Sequence, residues 1–284
     1  MKKRVNHKSG GLQVGEDSLA GDRQFAVALH RGLEVLHCLV SSGDALDERE
    51  LVRRTGLTKP VVSRLVHTLV NQGYMDGGEA EGTYRLGLGV LGLGYECLAG
   101  QGLVGALQPF MDELAAYAGE GIMVALGQQD NLSMVYLACT QNAGFITVQM
   151  KVGSRISLAR SSMGRALLAG LSATDRAALF AQIRTKVGEE QWPAVGPSIQ
   201  QSVDEVRRQG FCSVLGGWRP DVHAVAVPFH VPETDIPPLA FSCGGPAYLL
   251  PRQRLEADLG PRLVEMVRRI TALCVGRSAP VAAI

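Results

Sequence analysis

Two short stretches concentrate side chains able to recognise a phosphate, a base edge or a carboxylate. The first runs from Thr58 to His67, with the sequence TKPVVSRLVH. Wound as a helix, it gathers Val62, Leu65, Val66 and Leu69 into one apolar stripe and leaves Lys59, Pro60, Ser63, Arg64 and His67 on the outer face. A narrow face of cations and hydroxyls suits phosphate oxygens and the O6/N7 edge of guanine in a major groove. Arg49, Arg53 and Arg54 just upstream suit flanking phosphates, and Arg85 downstream suits the backbone or minor groove. No acidic residue lies between Arg53 and Met75. The second stretch, Ser161-Ser162-Met163-Gly164-Arg165, opens a helical pattern directly after an extended run at 155–159. Free N–H groups at a helix start, with serine hydroxyls beside them, suit a carboxylate ligand. The plainer alternative is that Ser161 or Ser162 only caps the helix.

Periodicity predicts the elements that must hold these side chains. A helix is expected over 25–41, where Val27, Leu29, Leu33, Val35, Leu36, Leu39 and Val40 recur at helical spacing before Gly43. Asp47 and Glu50 form a capping box, the aspartate accepting a first-turn N–H while Glu50 reaches back. That short helix ends at Thr55-Gly56. Thr58 caps the next helix, Pro60 falls harmlessly in its first turn, and Gly73 ends it. Tyr74-Met75-Asp76 and Thr83-Tyr84-Arg85-Leu86 flank a glycine-rich tip and read as a hairpin. Short helix, tight turn, second helix and hairpin is the order of a winged helix-turn-helix. A three-helix bundle with merely solvated basic residues is the plainer alternative, disfavoured by the hairpin and by the acid-free stretch.

From 86 to about 116 the pattern is helical but rich in glycine (Gly87, Gly89, Gly92, Gly94), and Pro109 could break it. Beyond it, strands are expected over 122–126, 133–139, 145–152, 213–215, 224–229 and 239–243. Helices are expected over 164–171, 173–184, 198–209 and 252–274, with capping boxes at Ser172/Asp175 and Ser198/Gln201. Strands and helices in this proportion make an α+β chain with a mostly antiparallel sheet.

Composition narrows the class. A chain of 284 residues exceeds one ordinary domain, so two are expected, and 46% hydrophobic content supports a proper core. No window holds the ~18 uninterrupted apolar residues of a membrane span. Residues 1–21 are polar and lack an apolar segment, so they read as a tail in a cytoplasmic protein and not as a secretory signal. A net charge of +1 shows no global preference for nucleic acid, although one face of a small head can still be basic. Six widely spaced cysteines with no CxxC pair and no histidine cluster predict neither disulfides nor a metal site.

No catalytic set and no cofactor site emerge. The GxSxG elbow is missing, and His223 and His230 lie far along the chain from Ser161. The glycines of 87–94 do not join a strand to a helix in a βαβ unit, so a dinucleotide fingerprint is absent. Two alternatives stay open: an enzyme with a pocket centred on Ser161/Ser162, and a winged-helix module that binds protein instead of DNA. Trp218, in Gly-Gly-Trp-Arg-Pro, could stack on an aromatic ligand or simply anchor its loop.

The string RGLEVLHCLV…ELVRRTGLTKPVVSRLVHTLVNQGYMD…TYRLGLGVLGLG resembles the reading head of the IclR family of bacterial transcriptional regulators. VGSRISLARSSMGRALLAGL, VRRQGF…GW…VAVPF and FSCGGP follow in the family's usual order, so the resemblance spans about 25–277. It implies a tail over 1–24, a winged helix-turn-helix over 25–86, a dimerising linker helix over 87–111, a GAF-like effector-binding domain over 112–277 and a tail over 278–284. It also implies double-stranded operator DNA as partner, a homodimer or homotetramer, and an effector that shifts operator affinity. By the same matching, Val148, Ile156, Ser161, Ser162, Met163, Val214, Ala224, Ser242 and Gly244 should line the effector pocket.

The chain departs from the family pattern in places that bear on its ligands. Pro60 stands where members often have a hydroxyl, which puts the operator sequence in doubt. Members sensing small polar acids tend to carry acidic residues where this chain has Val214-Leu215-Gly216-Gly217. They also tend to carry a cysteine at Ala224 and paired serines at Ser242 and Gly244. The less polar pocket predicts an aromatic or medium-chain organic acid, not a two- or three-carbon one.

Overall fold

A computed structural model describes residues 25–99, 103–142, 150–231 and 234–277. The expected tails at 1–24 and 278–284 lie outside them, as does most of the expected strand at 145–152. The chain divides between residues 101 and 102 into two compact units.

The first unit opens with α1 (Val27–Ser42), closed by Gly43. Strand β1 (Leu46–Asp47) leads into α2 (Glu48–Thr55), where the Glu50 N–H donates to Asp47 Oδ1 at 2.7 Å. Gly56 ends α2 at φ 71°, a left-handed conformation that costs glycine nothing and places the next helix after a sharp turn. Helix α3 (Lys59–Asn71) follows, then β2 (Met75–Gly77) and β3 (Thr83–Leu86). The three strands form an antiparallel sheet in the order β1-β3-β2. The two-residue β1, which pairs with Tyr84 and Thr83, carries no pattern of its own in the sequence.

Val35, Leu39, Leu46, Leu51, Val62, Val66 and Met75 make the core of this unit, with Leu65 and Leu69 packed partly against it. Leu29, Leu33 and Val40, part of the helical pattern that predicted α1, are exposed on its other side. Helix α1 is apolar over a wider arc than the small core can cover.

Within and just beyond the expected linker helix over 87–111, α4 (Leu88–Ala99) and α5 (Leu103–Ala118) are helical, and residues 100–102 lie outside the described residues. Pro109 sits inside α5 without ending it. Its missing hydrogen bond is outweighed by the buried face of Leu107, Met111, Leu114, Ala115 and Ala118. The glycines here differ in role. Side chains at Gly87 and Gly89 would strike the Gly73 backbone, whereas Gly92 and Gly94 face open space.

The second unit is built on β4 (Met123–Asp130), β5 (Ser133–Gln141), β6 (Arg155–Ser157), β7 (Cys212–Leu215), β8 (Val222–Phe229) and β9 (Leu239–Pro246). They form one antiparallel sheet in the order β6-β5-β4-β9-β8-β7. On one face lie α5 and the C-terminal helix α9, which starts at Arg252–Arg254, passes a π-helical turn at Leu255–Leu259 and continues as Gly260–Arg277. On the other lie α6 (Ser162–Gly170), α7 (Ala173–Val187) and α8 (Trp192–Gln209). Alternation divides each strand between the layers: Leu239, Phe241 and Cys243 face α5 and α9, whereas Ala240 faces the α6 side.

Ser172 caps α7 as expected, accepting the Asp175 N–H at 3.1 Å. Helix α8 begins at Trp192, six residues before the expected start, so Ser198 is interior and caps nothing. Pro193 in its first turn and the burial of Val195 and Ile199 carry the helix through Pro197.

Candidate functional site

In the first unit the residues singled out for nucleic acid share one solvent-facing surface of α3 and its flanks. Lys59, Pro60, Ser63, Arg64 and His67 are all exposed, while Val62 and Val66 are buried beneath them. Thr58 is the N-cap by backbone geometry, but its hydroxyl makes no capping bond and is exposed. Among the described residues, the side chains of Lys59, Arg64, Arg49 and Arg85 have no ion-pair or hydrogen-bond partner. Asn71 Nδ2 lies 3.2 Å from His67 Nδ1, which steadies the imidazole one turn from the end of α3.

Arg53 and Arg54 differ from the others. Arg53 Nε donates to Glu50 Oε2 and Arg54 Nε to Glu50 Oε1, each at 2.7 Å. Glu50 therefore does not reach back to complete a capping box; only the Asp47 half forms. The two guanidiniums hold the Glu50 carboxyl down at about 2, well below the usual glutamate value. A phosphate approaching Arg53 or Arg54 must compete with that carboxylate.

In the second unit a cavity opens between the α6 face of the sheet and the start of α6. Of the residues expected there, Ile156, Ser161, Ser162, Val214, Trp218, Ala224, Ser242 and Gly244 line it. Val148 lies outside the described residues. Met163 does not line the cavity: it is fully buried in the core beside Gly127, because the helical turn that aims Ser162 at the cavity carries Met163 toward β4. Met123, Tyr136, Val222 and Gly245 complete the wall and were not expected. Met123 reads as ordinary core in the sequence, and only its register opposite Gly244 brings it to the cavity.

The two serines part company. Ser161 is the helix cap, donating to Ser157 O at 2.7 Å and accepting the Gly164 N–H at 3.1 Å. Ser162 and Ser242 are buried, yet among the described residues neither hydroxyl has a hydrogen-bond partner. Both residues line the cavity, so their hydroxyls are free to bond a polar group placed there. The space open to the centre of a water molecule is about 40 Å³, room for roughly three waters. Arg219 is turned to Asp221, Arg160 to Gln191, and His223 Nδ1 lies 2.8 Å from Leu250 O. Cys243 lies on the opposite sheet face, and burial pushes its thiol up to about 12. No group of three or more potential metal ligands occurs among the described residues.

A winged helix with a cationic outer face, followed by an α+β unit that holds a small polar-tipped cavity, defines a DNA-binding regulator as the class. The comparisons agree. Residues 28–76 match the IclR helix-turn-helix domain, and residues 95–272 match the profile described as bacterial transcriptional regulator IclR C-terminal. The chain belongs to the IclR family of bacterial transcriptional regulators. It is 32% identical over 247 residues to the HTH-type transcriptional regulator TsaQ1/TsaQ2 of Comamonas testosteroni, covering 86% of this chain and 87% of that protein. A crystal structure of an IclR family transcriptional regulator from Brucella abortus superposes with a TM-score of 0.74 at 41% identity, over 89% of this chain and 94% of that one. An IclR homologue complexed with 4-hydroxybenzoate, from Microbacterium hydrocarbonoxydans, shares the fold at 20% identity and TM-score 0.66, over 87% of this chain and 97% of that one. These relatives are regulators, and the enzyme alternative falls with them. No helix among the described residues is long and apolar enough to cross a membrane.

Proposed function

We propose that this regulator binds operator DNA through the outer face of α3 and that an aromatic or medium-chain organic acid in the cavity of the second unit changes that binding. The observation that carries the effector reading is the cavity wall. Its polar groups include the unpartnered hydroxyls of Ser162 and Ser242 beside the start of α6, which suit a carboxylate. Much of the remaining wall is apolar or aromatic (Met123, Ile156, Val214, Trp218), which suits a ring or an alkyl chain. A ring entering displaces the water and parts the walls, with Trp218 placed to stack on it. That a protein of this fold was solved with 4-hydroxybenzoate makes aromatic acids the first class to test.

On the DNA side, Lys59, Ser63, Arg64 and His67 supply the reading face and Arg49 and Arg85 the flanking contacts, with Arg53 and Arg54 available once Glu50 yields them. Pro60 and Thr58 border the groove. The protein works as a dimer or tetramer in the cytoplasm. Leu88, Leu91, Leu93 and Tyr95 along α4 are each more than 60% exposed, and a second copy is the natural cover for them. The segment 87–111 then acts as the linker between the reading head at 25–86 and the effector domain at 112–277. An effector shifts operator affinity only through its differential affinity for two arrangements of the oligomer.

The test is a mobility-shift titration of the DNA upstream of the protein's own gene, with aromatic and aliphatic acids added and Arg64→Ala as control. Specific binding that weakens in the variant and responds to an aromatic or medium-chain acid supports the reading. A response to pyruvate or glyoxylate alone would remove the ligand class. Absence of binding at low salt by folded protein would remove the DNA role.

A further inference from the structure

No charged side chain contributes to the cavity wall among the described residues, yet a cation is buried directly behind it. Arg165, one turn into α6, is only 8% exposed. Its Nε donates to Ala159 O at 2.9 Å, and its Nη1 to Ser198 O at 3.3 Å and Ser202 Oγ at 3.4 Å. All three acceptors are neutral. Glu205 on α8 is the acid whose charge reaches it, but Oε1 of Glu205 accepts from Gln201 and Oε2 from the Ser213 N–H. Cys212 nearby keeps its proton, since burial pushes the thiol up to about 12. Arg160 adds like charge from the preceding turn. Desolvation accordingly draws the Arg165 pKa down from the usual arginine value, although a guanidinium remains charged.

The remaining nitrogen, Nη2, makes no hydrogen bond among the described residues. A β-carbon on Gly217 would lie 3.6 Å from Arg165 Nη2 and also against the side chain of Val214, which lines the cavity. The same position is 3.0 Å from Arg160 O, so Arg165 Nη2 packs close behind the Val214 part of the wall. The N-terminus of α6 adds positive potential at the same place, and each raises the energy of the other. A cation withheld from water and bonded only to neutral acceptors is poorly compensated, and an anion in the cavity would offset that cost.

We propose that Arg165 is the countercharge for an anionic ligand, acting from behind the Val214 part of the wall without touching the ligand, so that the cavity selects an ionised acid over its neutral amide. The proposal rests on the reading of the cavity as the effector site.

Titration calorimetry of the full chain with benzoate and benzamide tests it. Wild type should bind benzoate roughly tenfold or more tightly than benzamide. Arg165→Gln should collapse that preference while leaving benzamide within about twofold, and Arg165→Lys should restore most of it. A purely structural role would weaken both ligands alike. Ala224→Val, in the wall, should weaken both ligands. If it changes neither, or if benzoate does not bind at millimolar concentration, the cavity reading fails and the Arg165 proposal with it. If Ala224→Val weakens both but the acid-to-amide ratio is the same in wild type and the Arg165 variants, the cavity stands and the Arg165 role is overturned. Should Arg165→Gln not fold, wild type and Arg165→Lys decide: a wild-type ratio near one overturns the proposal.

Discussion

Ala224 on β8 and Gly244 on β9 face each other in register, and a β-carbon on Gly244 would come within 2.6 Å of the Ala224 methyl. Both residues line the cavity. An alanine opposite a glycine thus forms part of its wall, and the room beside them exists because only one methyl group enters it.

Gly244→Ala should therefore cost both stability and binding. The new methyl meets Ala224 and lies 3.1 Å from His223 O, so the paired strands must separate. Overpacking of this kind costs about 1–3 kcal/mol, visible as a lower denaturation midpoint with unchanged slope. A variant as stable as wild type that still binds the same acids would show that the wall is not tight.

Replacing single arginines of the reading head should separate two classes. Arg64 has no partner among the described residues, so Arg64→Ala should weaken operator binding by about 1–3 kcal/mol if it reads a base. Arg53→Ala should weaken it less, because Arg53 is already held by Glu50. Equal losses in mobility shifts at one salt concentration would contradict this ordering.

Asp47→Ala removes the acceptor for the Glu50 N–H at the start of α2. Loss of such a cap costs about 1 kcal/mol, and Asp47→Asn should recover most of it in thermal melts. Indifference to the alanine change would mean that the β1–β3 pairing alone holds the helix start.

Acid should loosen the same helix. The Glu50 carboxyl is held below the ordinary glutamate value of 4.5, at about 2, by Arg53 and Arg54. Its stabilising contribution is therefore complete above pH 4.5 and is lost as pH falls toward 2. The group is solvent-exposed, so the effect is small and sensitive to salt. Comparing melts of wild type and Glu50→Gln across that window should show a gentler acid decline in the variant, and parallel declines would contradict it.

Much of the reading head could be read directly from the chain because its determinants are local. The Asp47 cap, Gly56 at the turn, the stripe of Val62 and Val66 and the glycine-rich hairpin tip each act within a few residues. Glu50 was misassigned for a reason that is not local to the cap: arginines three and four residues on offer a stronger partner than the backbone N–H. The helical period of 25–41 predicted α1 but not which of its apolar residues are covered, because periodicity reports apolarity alone.

The cavity was reached differently. Ser161 and Ser162 were marked as a candidate anion site by their place at a helix start, whereas Ala224, Ser242 and Gly244 were expected there only through resemblance to a family. The sequence by itself determined the helix starts, the cationic face of α3 and the run of serines at α6, since capping and helical period need only near neighbours. Tertiary structure alone decided that Ser161 caps while Ser162 stays unpartnered, that Met163 enters the core, and that Met123 and Tyr136 reach the cavity. It also decided that Arg165 is buried with only neutral groups as hydrogen-bond acceptors. The physical reason is register: which strand face meets which helix is set by pairings such as Met123 with Gly244, between segments that are far apart in the chain and become neighbours only when the sheet forms.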